Sequence, residues 1–301
     1  MPIKFGLAAL LAALLLSACT SNVQPAVTQF GSAIVAAQSA ESAFISALNQ
    51  KQLDQDSVRI LTSAKVTILA DKSTVVPFGI NKALATSVVP QDAVDAINSL
   101  LKPVQAYGQA MQALSGDTAA ATLDTNVDNL SKQASTFDTS VLTPLGAKGL
   151  PTAAEINGVA TAVKDIGNII VAALISKDVK AAATNAQPDL KKIVAGLELI
   201  NSYWSGQLPN DVSEVTISAA VVRWNNSTNP PSYEEKVALK GIWEKAAVPL
   251  TADGANKALD AIVTANAAIA NSGPVAAKAQ IQALAQAASD AYSSYKAFAP
   301  K

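Results

Sequence analysis

Apolar residues recur along this chain in alternating steps of four and three. Ala26, Phe30, Ala33, Ala37, Ala40, Phe44 and Ala47 form one series, and Val94, Ile97, Leu101, Val104, Gly108 and Met111 form another. The same spacing runs through Ala120, Leu123, Val127, Leu130, Ala134, Phe137 and Val141, then through Ile156, Val159, Val163, Ile166 and Ile170. It returns in Ala186, Leu190, Ile193, Leu197, Ile200 and Trp204, and again in Ala277, Ile281, Leu284, Ala288, Ala291, Tyr295 and Phe298. A mean step of about 3.5 residues keeps these side chains on one helical face and makes the seam of helices packed at shallow angles. Alanine, the strongest helix former, is the commonest residue, and small seam residues let helix axes approach closely. The expectation is an all-α fold: an antiparallel bundle of long Ala-rich helices with heptad-like seams.

The breaks between series agree with a bundle rather than one fibre. Ser115-Gly116-Asp117 separates two helices, with Asp117 as an N-cap. Residues 144–151 hold two prolines and two glycines, which places a long loop there and marks the boundary if the chain forms two sub-bundles. Asp211 with Glu214 suits a capping box, and Ser272-Gly273-Pro274 sets proline in the first turn of the last helix. Pro103 and Pro188 fall inside periodic stretches and are expected to kink or split their helices. Residues 64–70, AKVTILA, allow a short hairpin with Val75-Val76-Pro77-Phe78. The spacing of Val58, Leu61, Lys65 and Ile68 favours a helix followed by a loop.

The first twenty residues read differently. One positive charge at Lys4, an apolar run from Phe5 to Leu16 and small residues after it make a secretory signal. The run is shorter than the roughly 20 residues that span a bilayer. Leu16-Ser17-Ala18-Cys19 resembles the lipobox of bacterial lipoproteins, and Cys19 is the only cysteine in 301 residues. The resemblance implies cleavage between Ala18 and Cys19, acylation of the Cys19 thiol and attachment to a membrane. Thr20, where an aspartate would favour inner-membrane retention, implies an outer-membrane protein facing the periplasm. The chain then divides into a signal peptide at 1–18, a lipidated start and short tether at 19–24, and a helical domain at 25–301. A tether from Thr20 to Gln24 reaches about 18 Å at most.

Composition narrows the chemistry. There is no histidine, so no Ser-His-Asp or Cys-His pair and no histidine metal ligand can form. A net charge of −1 argues against nucleic-acid binding, which needs a clustered basic face. One cysteine allows no intrachain disulfide. No Gly-rich phosphate loop or serine-lysine motif is present, and no cofactor or metal site is expected.

One segment stands out. All three tryptophans lie between residues 204 and 243, and Arg223-Trp224 leads into the loop Asn225-Asn226-Ser227-Thr228-Asn229-Pro230-Pro231. Arg223, Trp224 and Tyr233 are residue types that dominate binding hot spots, so they are the expected partner-binding tip. Trp204 and Trp243 sit on apolar helical faces and are expected in the core. Glu198 stands beside the Leu197–Ile200–Trp204 seam, where its carboxylate is expected to reach water. The expected function is a non-catalytic one: a lipid-anchored envelope scaffold or adaptor. The alternatives are a carrier holding an apolar molecule between helices and a carboxylate-dependent enzyme.

Overall fold

The longest helix shows why this sequence folds as it does. Between Phe30 and Thr62 there is no proline, and one face offers alanine and phenylalanine at steps of three and four from Phe30 to Ala47. Every member of that series from Ala26 to Ala47 is buried. The computed structural model describes residues 23–62, 67–68, 74–75, 87–115, 153–176, 178–208, 222, 226 and 233–298. Within them the chain forms a short turn of helix, α1 (Gln24–Val27), and seven long helices. These are α2 (Phe30–Thr62), α3 (Gln91–Leu114), α4 (Ala153–Ser176), α5 (Val179–Gly206), α6 (Tyr233–Ala247), α7 (Asp253–Asn271) and α8 (Pro274–Lys296).

The fold is an all-α bundle. Helices α2, α3, α5 and α7 form its centre, each packed against the next around a closed circuit. Helix α4 covers α3 and α5, α8 covers α2 and α7, and α6 lies against α2. Short connections make antiparallel neighbours: residues 177–178 join α4 to α5, and Ser272-Gly273 joins α7 to α8. Residues on both sides of 144–151 share one hydrophobic cluster, from Val23 to Phe298. Residues 144–151 themselves, like the 120–141 series and the caps expected at Asp117 and Asp211, lie outside the described residues.

Close approach occurs where both helices carry glycine. A Cβ on Gly108 of α3 would stand 3.2 Å from Gly31 Cα of α2 and 2.6 Å from Ile34 Cδ1. A Cβ on Gly31 would meet the Gly108 carbonyl oxygen at 2.8 Å. Aromatic rings fill the space on either side: Phe30 meets Tyr107 edge-on at 6.2 Å, and Phe44 meets Tyr295 of α8 at 5.0 Å. Asn49 fixes the entry to α3, accepting from the Val89 backbone N–H at 3.0 Å.

Three expectations change in detail. Thr28–Gln29 turns the chain between α1 and α2, although Ala26 and Phe30 both stay in the core. Neither Pro103 nor Pro188 splits its helix. Each proline frees only the carbonyl four residues back, at Ser99 and at Thr184, and neither residue is buried, so water can satisfy the oxygen. The helical spacing does not carry through Ile68: α2 ends at Thr62, and Thr67–Ile68 pairs antiparallel with Thr74–Val75. The β-branched residues there prefer the extended backbone.

Candidate functional site

Asn256 of α7 is where the buried polar groups of the bundle and its one described open cavity meet. The cavity measures about 480 Å³ and sits at the end of the bundle, between the C-terminal ends of α5 and α6 and the start of α7. Ser202, Ser205 and Leu208 form one wall, Val248 to Asp253 another, and Lys51, Gln55 and Asn256 the inner side.

Lys51 builds that end. Its ammonium group donates to the backbone oxygens of Lys245 at 2.9 Å, of Ala246 at 2.5 Å, and of Val248. Those are the carbonyls a helix leaves without partners at its C-terminus, and a cation suits the negative end of the dipole. Burial pushes the ammonium pKa down to about 8, and the Asp54 carboxylate partly offsets this. All three donors are committed, so Lys51 caps α6 and is not a nucleophile facing the cavity.

Behind Asn256 lies a line of polar groups across the core. Asn201 of α5 donates to Asn256 Oδ1 at 3.1 Å and to Glu41 Oε2 of α2 at 3.0 Å. Glu41 is 1 % exposed, and burial raises its carboxyl pKa to about 7, with the Asn201 hydrogen bond acting the other way. The Tyr295 hydroxyl accepts from Ala255 N–H at 2.9 Å and donates to the Thr251 carbonyl at 3.1 Å, holding α8 to the start of α7. Deeper along the same helix, Tyr107 donates to Asn266 Oδ1 at 2.6 Å. Asn266 in turn donates to the Ala183 carbonyl at 2.8 Å and to Gln187 Oε1 at 2.6 Å. The fully paired Asn266 network is of the kind that fixes the register of packed helices, whereas the Glu41 carboxyl is paired on Oε2 alone.

Between the two networks, Glu198 of α5 faces Asp260 of α7. Glu198 is half-buried at the rim of its seam. Burial first, then the charge and hydrogen bonding of Asp260, raise its pKa to about 7. The Glu198 carboxyl is hydrogen-bonded to the Asp260 side chain across the α5–α7 interface.

The residues singled out from sequence are placed unevenly. Tyr233 begins α6 and is 80 % exposed, and Val237 one turn later is 54 % exposed. Ala18, Cys19, Arg223 and Trp224 lie outside the described residues. Trp204 and Trp243 are core residues as expected. Glu41, Asn201, Asn256 and Asn266 were not singled out, although a seven-residue step points to Glu41. Ile34 and Leu48 occupy the equivalent positions on α2 and Val27 the one before them on α1, and all are buried. Among the described residues, no group of three or more His, Cys, Asp or Glu could hold a metal ion, and no helix is long and apolar enough to cross a membrane. Compared with known proteins, the chain matches no family model, no curated protein and no solved structure.

Proposed function

We propose that this protein is a lipid-anchored envelope adaptor. In this reading acylated Cys19 holds it to the outer membrane on the periplasmic side, and the outer face of α6 with the loop before it binds a protein partner. The observation that carries this is the exposure of Tyr233 and Val237, two large side chains one turn apart that fill no core. Arg223 and Trp224, ten and nine residues before Tyr233 in the sequence, are the other residues of this proposed tip. The end cavity, walled by serine, asparagine and aspartate as much as by leucine and valine, supports an apolar carrier less well.

The test pairs two changes in the full chain. Tyr233→Ala with Val237→Asp should leave the melting temperature unchanged and abolish capture of an envelope protein crosslinked to the wild type. Cys19→Ala should remove lipid labelling and release the protein from membranes. Undiminished capture by the doubly changed tip would overturn the adaptor reading, and an unmodified wild-type Cys19 would overturn the anchor.

A further inference from the structure

Four helices meet around one carboxyl group. Among the described residues, Glu41 of α2 has Asn201 of α5 as its only hydrogen-bond donor, on Oε2, while Oε1 has no partner. The Asn201 amide spends its second hydrogen on Asn256 of α7. Tyr295 of α8 stands near enough for Glu41 to raise its pKa by charge, yet its only proton goes to the Thr251 carbonyl. An ionised carboxylate can accept about four hydrogen bonds, and here it would receive one, from a neutral amide. Dry surroundings of this kind favour the neutral acid.

No neighbouring helix supplies a compensating cation. α8 contributes Tyr295. α7 contributes Asn256, with Asp253 at the cavity and Asp260 a turn further on. α5 contributes Asn201, with Glu198 one turn before it. On α3 the nearest charges, Asp92, Asp95 and Lys102, are exposed, and α1 carries none. Lys245 of α6 acts on Asp54, and Lys51, ten residues along α2, is committed to the α6 carbonyls. Among the described residues, nothing basic pairs with Glu41.

We propose that Glu41 is the centre of a proton-operated clasp. Neutral, it lets α2, α5, α7 and α8 close around it; ionised, it draws water through the end cavity and frees the N-terminal half of α7. The path is short, because Asn256 both bonds Asn201 and lines the cavity. The element that moves is the start of α7 with the Val248–Ala252 segment, so the shape of the cavity is what the proton controls. Glu198 and Asp260 act in the same direction one turn along the α5–α7 interface: a shared proton joins the helices, and its loss leaves two facing carboxylates.

The pH dependence has a definite sign. Both glutamates have raised folded-state values, near 7 against 4.5 for a solvated carboxyl. The folded chain therefore keeps protons that the unfolded chain releases, and stability falls as pH rises through that window and levels off above it.

The test is thermal melting, together with hydrogen exchange at Ala255–Ala258 corrected for the intrinsic rate, on the full chain between about pH 5 and about pH 8. The wild-type melting temperature should fall by roughly 5 °C or more as pH rises, and exchange at those four amides should accelerate. Glu41→Gln, which keeps the shape without the charge, should remove most of both effects, and Glu198→Gln a smaller part. A Glu41→Gln variant with the wild-type pH profile would overturn the clasp. If that variant fails to fold, infrared spectra of the wild type decide. A protonated-acid carbonyl band persisting to near pH 7 supports the clasp, and its absence at pH 6 overturns it.

Discussion

Trp204 and Trp243 on one side and Tyr233 on the other carry opposite expectations although all are large aromatics. Trp204 and Trp243 are buried in the bundle, so truncation to alanine should cost about 3 to 5 kcal/mol each. Tyr233 faces solvent, and its truncation should stay within about 0.5 kcal/mol. Denaturant melts of the three single variants check this. A Tyr233→Ala variant as damaged as Trp204→Ala would mean that the tip packs on the body and is no free surface. What the sequence disclosed at this scale was the seam, and what it hid was the second buried row. A helix enclosed by several neighbours buries two rows, not one, and Glu41 belongs to the row of Val27, Ile34 and Leu48. Asn201 is placed the same way between Val194 and Leu208. Steps of four and three along a single stripe pass these residues by. A seven-residue comparison exposes them as polar intruders at apolar positions, though not their partners, which come from other helices.

Helices were legible because their periodicity is a property of each segment alone. All seam positions described on α2, α5 and α8 are buried, and so are those of α3 except half-buried Val94. The pairing of helices was not legible. It depends on where small residues from distant segments coincide, as Gly31 and Gly108 do. That crossing leaves no room for a side chain. Gly108→Val should therefore destabilise the protein by about 1 to 3 kcal/mol or more, through contact with Ile34 and the α2 backbone. A shift of the denaturation midpoint measures it. An unchanged midpoint would mean that α2 and α3 can separate freely. The hairpin at Thr67–Ile68 and Thr74–Val75 shows the limit of the helical pattern: Lys65 and Ile68 keep the spacing, while β-branched neighbours and a short reach decide the backbone.

At the scale of the molecule, the described residues share a hydrophobic cluster from Val23 to Phe298, with a polar line running through it to an open end. Removing the last helix should be more damaging than its exposed outer face suggests, because Ala277, Ile281, Leu284, Ala288, Ala291 and Tyr295 all lie inward against α2 and α7. A chain ending at Ser272 is expected to lose cooperative unfolding and to bind a hydrophobic dye. A truncated chain that still melts in one sharp transition would show α8 to be an accessory.

The most extensive interface of α2 is with α8, so the first long helix waits for the last one described. Pairing across so much intervening chain delays closure until α8 has been made. Until then the part of α2 that packs on α8 has no permanent cover. A nascent chain of this kind stays unsealed until α8 emerges, and it has most need of a holding chaperone before then.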